Sequence, residues 1–124
     1  MAVDVWMQHP TLRFLHYEAF ESLRRWSGGA IPSAELPIDA TLATMDAGGV
    51  DFGILSAWHG PTGPLISNDE VASFVAPHPT RLAGLAAVDL MHPLRAVREL
   101  RRAVRELGFR GLRVVPWLWG LPPN

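Results

Sequence analysis

Strand-like and helix-like stretches alternate along these 124 residues, and that alternation predicts an α/β fold of parallel strands joined through covering helices. Two further observations favour a partial (β/α)8 barrel, about its first four strands with flanking helices, over an open doubly wound sheet. The first strand runs into Gln8-His9-Pro10-Thr11, not into the G-x-G-x-x-G turn of a dinucleotide-binding fold. The fourth strand is followed by a Trp- and Pro-rich stretch with no helix to cover it, and four strands are half of what a barrel of about 250 residues contains. Residues 1–124 are therefore expected to be the N-terminal part of one such domain.

The elements follow in order. Met1–Gln8 reads as the first strand, because Val3, Val5 and Met7 alternate with Asp4, Trp6 and Gln8, and Pro10 ends it. Thr11 is expected to cap one helix reaching Trp26, with Leu12, Leu15, Ala19, Leu23 and Trp26 at spacings of three and four and Gly28-Gly29 as the stop. A Gly-, Pro- and Ser-rich loop runs to Pro37. Asp39 then caps a short helix bearing Leu42 and Met45, closed by Gly48-Gly49. Val50–Ala57 is the second strand, and Trp58–Pro64, with two Gly and two Pro, reads as an irregular loop. Ser67 followed by Glu70 is a capping-box pattern, and its helix carries Val71, Phe74 and Val75 to His78-Pro79. Leu82–Val88 is mostly apolar, as expected for a strand covered on both faces. Pro93 takes the first position of a helix whose Leu94, Val97, Leu100, Val104 and Leu107 form one apolar stripe up to Gly108. Arg110–Val115 is the fourth strand. The tail from Trp117 to Asn124 is apolar without a period.

Composition removes several function classes. A net charge of −1 offers no electrostatic reason to bind nucleic acid or an anionic membrane. All eleven basic residues are Arg, so lysine Schiff-base chemistry is excluded, and the lack of Cys excludes disulfides, thiolate metal sites and a cysteine nucleophile. No stretch approaches the ~20 apolar residues of a membrane span, and MAVDVWMQHP lacks the basic region and apolar core of a signal peptide, so a cytoplasmic location is expected.

Several stretches together resemble the amidohydrolase-related branch of the metal-dependent hydrolases, which includes aminocarboxymuconate-semialdehyde and resorcylate decarboxylases. Val3-Asp4 sits where that family begins its first strand. Met45-Asp46-Ala47-Gly48-Gly49-Val50-Asp51 resembles its "MDxxGVD" stretch. Asn68-Asp69-Glu70 with His78-Pro79-Thr80-Arg81-Leu82-Ala83-Gly84 resembles "NDE…hPxRxxG", and Leu107–Arg113 resembles "LGFxGxR". The resemblance implies a (β/α)8 barrel with its active site at the carboxyl ends of the strands. It also implies hydrolysis or decarboxylation of a small carboxylated or cyclic substrate, assisted by a zinc-like divalent metal. The family's first strand carries H-x-H as metal ligands, and the matching positions here are Trp6 and Gln8, neither an ordinary zinc ligand. His9 is out of register by one. No metal ligand is therefore expected from this chain.

The candidate site residues follow from the strand ends. Trp6 and Gln8 are expected to line a substrate pocket by stacking and hydrogen bonding, although Trp6 could also serve only as barrel filling. His9 is a candidate substrate contact or turn cap. Trp58 and His59 follow the second strand, and His59 is the candidate acid or base because imidazole titrates near neutrality. Arg113 offers a planar fork for a substrate carboxylate, and Trp117 would sit beside it. Two rival readings compete with the enzyme fragment. One is a non-catalytic half barrel that pairs its exposed edges with a second copy or binds a small ligand. The other is a self-sufficient open α/β binding protein.

Overall fold

The computed structural model describes residues 1–28 and 30–120. Gly29, one of the two expected helix stops, and Leu121–Asn124, the end of the tail, lie outside the described residues. The elements are β1 (Val3–Met7), α1 (Leu12–Leu15), a 3-10 turn (Glu18–Phe20), α2 (Glu21–Trp26), α3 (Ile38–Ala47), β2 (Phe52–Ser56), β3 (Trp58–Gly60), β4 (Gly63–Ile66), α4 (Asn68–Val75), β5 (Leu82–Ala86), α5 (Pro93–Arg105), β6 (Gly111–Leu112) and a final 3-10 turn (Pro116–Trp119).

The expected parallel α/β sheet is present, in the order β1-β2-β5-β6. β1 pairs with β2, β2 with β5 and β5 with β6, all parallel. Helices cover one side. On that side Gly53 leaves room for Met7 and Met45, and Gly84 leaves room for the Phe109 ring. Leu55, Val71, Leu82, Ala86, Ala103 and Phe109 form the center of the buried core. Among the described residues no helix is long and apolar enough to cross a membrane.

Local signals set most boundaries. The Thr11 hydroxyl accepts from the Phe14 N–H at the start of α1. The Ser67–Glu70 capping box is complete at the start of α4, and Pro93 opens α5. Asn68 ties α4 to the end of β5: its amide donates to the Ala87 carbonyl at 3.0 Å and accepts the Ala87 N–H at 2.9 Å.

Five expectations need correction. The helix expected from Thr11 to Trp26 breaks at His16-Tyr17, where Tyr17 is extended. Arg24 holds the break, donating to the carbonyls of Leu15 at 3.2 Å and Tyr17 at 2.8 Å, and the turn lets Phe14 and Phe20 both reach Trp58. The helix expected to be capped by Asp39 starts earlier, after Pro37, with Asp39 in its first turn. The "loop" after β2 is an antiparallel hairpin, β3-β4, reversed at Gly63 with φ +120°. The fourth strand shrinks to Gly111–Leu112 because Pro116 opens a 3-10 turn, though the Arg113 N–H still reaches the Ala86 carbonyl at 2.8 Å. The apolar stripe of α5 is only half used: Ala103 is fully buried, while Leu94, Val97 and Val104 are exposed.

Gly84 tests the packing of the sheet on its helices. A Cβ there would stand 2.6 Å from the Phe109 ring, so Gly84→Ala is expected to lower the free energy of unfolding by about 1–3 kcal/mol, read from urea denaturation.

Candidate functional site

A cavity of about 570 Å³ opens at the carboxyl ends of the parallel strands, within the size range of small-ligand sites. β1 contributes Trp6, Gln8 follows it directly, and Trp58 comes from just beyond β2. Arg113, Val115 and Trp117 come from the segment after β6. Phe14, Phe20 and Arg24, from the broken helix, form the remaining wall. Trp58 is buried and sits edge-on to Phe14, Phe20 and Trp117 at centroid distances of 5.0, 6.0 and 6.3 Å.

Arg113 dominates the electrostatics. Only 8% of its surface is exposed. Its guanidinium carbon lies 3.7 Å from the Trp6 ring centroid and 4.7 Å from that of Trp58, so two indoles clamp it. One Nη donates to Gln8 Oε1 over a long 3.5 Å, and Nε has no partner. Among the described residues no carboxylate pairs with it. Burial pulls its pKa below the ordinary arginine value, yet guanidinium stays charged at neutral pH. A buried cation that faces aromatic rings instead of an acid is left uncompensated. The Trp58 indole N–H is also buried without a partner.

The structure thus brings Trp6, Gln8, Trp58, Arg113 and Trp117 into one cavity and leaves two other candidates outside it. His9 is 2% exposed, and both its ring nitrogens are engaged within the chain: Nδ1 with the Thr41 hydroxyl at 2.8 Å and Nε2 with the Leu36 carbonyl at 2.9 Å. It pins the exit of β1 to α3. His59 points to a second cavity of about 370 Å³ with Asn68, Asp89, Arg95, Glu99 and Arg102. Its ring stacks on Trp119 at 5.8 Å, and Trp119 Nε1 donates to the His59 carbonyl. Phe14, Phe20 and Arg24 went unnoticed as site residues in the sequence. No local signal marks them, because the spacing of three at Phe14, Tyr17 and Phe20 also fits one face of a continuous α-helix.

In the second cavity, Arg102 bonds Glu99 through Nε at 2.9 Å and Nη2 at 2.8 Å, and Asp69 through Nη1 at 2.8 Å. These bonds hold the Glu99 and Asp69 carboxyls below their ordinary pKa values. Asn68 adds a bond to Glu99 at 2.7 Å.

Parallel strands with an aromatic, cationic cavity at their carboxyl ends define a barrel-type ligand site. Comparison with known proteins gives the family. Residues 16–124 match the Amidohydrolase family, and the chain belongs to it. It is 33% identical over 120 residues to gamma-resorcylate decarboxylase of Polaromonas sp. JS666, an alignment covering 80% of this chain and 36% of that protein. The chain therefore spans about a third of the length of that curated relative. A TIM-barrel protein of Bordetella bronchiseptica superposes with a TM-score of 0.71 at 18% identity, over 99% of this chain and 46% of that one, which shows the fold. The structure of dihydroxybenzoic acid decarboxylase from Polaromonas sp. JS666, with manganese and the inhibitor 2-nitroresorcinol, superposes with a TM-score of 0.61 at 26% identity, over 90% of this chain and 37% of that one.

The described residues of this chain do not by themselves fit a divalent ion. Trp6 and Gln8 both engage Arg113, a cation, and no three His, Asp, Glu or Cys side chains converge among the described residues.

The Arg102 network has a pH signature. A carboxyl whose folded pKa is depressed stabilises the fold above its unfolded value, and that contribution is lost as pH falls through the folded value. Thermal melts of Glu99→Gln should therefore show a Tm deficit at pH 7 that shrinks below about pH 4.5, the ordinary glutamate value. A deficit that stays constant down to pH 3 would contradict this.

Proposed function

We propose that the strand-end cavity takes the carboxylate of a small aromatic or cyclic acid. In this reading residues 1–124 supply the first four strands of an amidohydrolase-type decarboxylase or hydrolase acting on that acid. The single observation behind it is Arg113: buried, clamped between Trp6 and Trp58, and without an acidic partner among the described residues. A carboxylate can accept from the Nε and Nη edge of a guanidinium through two parallel bonds, which binds and orients it in one plane. Trp6, Trp58 and Trp117 offer flat apolar surface for the ring that carries that carboxylate.

The similarity to a gamma-resorcylate decarboxylase and to a dihydroxybenzoic acid decarboxylase supports decarboxylation over hydrolysis. Decarboxylation breaks the bond between ring carbon and carboxylate, releases CO2 and places a proton on the ring carbon. Among the described lining residues only Arg24 and Arg113 carry a titratable group, and a guanidinium does not release its proton at neutral pH. The described residues of the cavity therefore serve binding and orientation, and the proton comes from elsewhere. His59, the candidate acid or base, faces the other cavity.

Benzoate and its neutral isostere benzyl alcohol separate this reading from simple apolar binding. Titrated against tryptophan fluorescence, benzoate should bind at least tenfold tighter than benzyl alcohol. Arg113→Gln should weaken benzoate at least tenfold, about 1.4 kcal/mol or more, and leave benzyl alcohol unchanged. Equal benzoate affinity in the native chain and an Arg113→Gln variant of native circular dichroism would overturn the proposal.

A further inference from the structure

The strand-end cavity holds a second guanidinium. Arg113 enters it from the segment after β6, whereas Arg24, in the last turn of α2, lines the wall formed by the broken helix. Arg24 is half-buried, and its Nη1 donates to the carbonyls of Leu15 and Tyr17. Those partners are neutral, so the two bonds fix the side chain without cancelling its charge. They occupy one corner of a fork that has five N–H donors. The nearby acid on the same helix, Glu21, pairs instead with Arg25 at the exposed surface.

The lining between the two arginines is aromatic. The Arg113 guanidinium carbon lies 4.7 Å from the Trp58 ring, and Trp58 in turn meets Phe14 at 5.0 Å and Phe20 at 6.0 Å. Phe14 directly precedes Leu15, whose carbonyl holds Arg24. An apolar wall therefore leads from one cation to the other, and no acidic side chain stands among the described lining residues. Two like charges beside low-polarity walls repel each other, and each is costly to keep from water. A ligand with one anionic group compensates one of them and leaves the other.

We infer that the cavity is built for a dianion: a small aromatic or cyclic acid that carries a second anionic group, met by Arg24. The inference rests on the carboxylate role proposed for Arg113 and adds a selection to it. Arg113 holds the carboxylate common to all such acids, and Arg24 distinguishes those with a second charge. The bonds to Leu15 and Tyr17 give Arg24 a fixed position from which to do so.

Matched ligands test this on the native chain, by tryptophan fluorescence at neutral pH. Terephthalate and isophthalate are both doubly ionised there. Their monomethyl esters keep the ring and one carboxylate and lose the second charge. At least one of the two diacids should bind about tenfold or more tighter than its own ester. Diacids that bind no tighter than their esters overturn the inference without recourse to any variant. In an Arg24→Gln chain of native circular dichroism, the affinity of the favoured diacid should fall to that of its ester. An Arg24 that only holds the helix break would weaken diacid and ester alike, so an unchanged ratio between them in that variant also overturns the inference. The two readings fail separately. Benzoate binding that is indifferent to Arg113→Gln removes the role of Arg113, whereas a diacid-to-ester ratio near one removes only that of Arg24.

Discussion

The organisation of the strand ends depends on one buried cation. Arg113 sits one position after the last ladder pair of β5 and β6, Ala86 with Leu112, and its side chain reaches Trp6 on the far edge of the sheet. Trp58, from the middle of the sheet, holds its other side. Three strands thus converge on one guanidinium, and the cavity walls are the residues that keep it dry. Burying an arginine without an acid runs against the ordinary rule that buried charges are paired. Two cation–π contacts offset part of the cost, at about 0.5–2 kcal/mol each. The remainder is what the proposed carboxylate would offset.

The packing around the cavity serves the same end. The broken first helix looks like a defect beside the continuous helix that its apolar spacing suggests. The break turns Phe14 and Phe20 onto Trp58 and places Arg24 where it satisfies the carbonyls that the break exposes. His59, next to Trp58 in the chain, stacks on Trp119 and lines the second cavity, where Arg102 gathers Glu99 and Asp69. Two adjacent residues, Trp58 and His59, therefore line different cavities, the first apolar and cationic, the second polar and charge-compensated.

The two cavities differ in how much of them the sequence carried. Local chemistry was readable: Ser67 with Glu70, Pro93 and the Gly48-Gly49 stop act over three or four residues, and each appears where its pattern stands. Trp6, Gln8, Trp58, Arg113 and Trp117 were legible as a group because parallel strands collect their carboxyl ends on one side. The break at His16-Tyr17 was not legible, since it is fixed by contacts from Arg24 and Trp58 rather than by a Gly or Pro. The β3-β4 hairpin hid behind the same Gly and Pro that suggest irregular loop. The aim of His59 depended on Trp119, sixty residues away, and the sealing of His9 on Thr41 and Leu36 depended on α3 and the loop before it. Such pairings are long-range and leave no periodic trace.

The central claim is that Arg113 waits for a carboxylate between its two indoles. A crystal structure of the chain grown with benzoate tests it most directly. The account predicts the carboxylate within hydrogen-bond distance of Arg113 Nε and Nη, in the plane of the guanidinium, with the benzoate ring against Trp58 or Trp117. Benzoate bound away from Arg113, or a guanidinium swung out of the indole clamp to meet solvent, would contradict it.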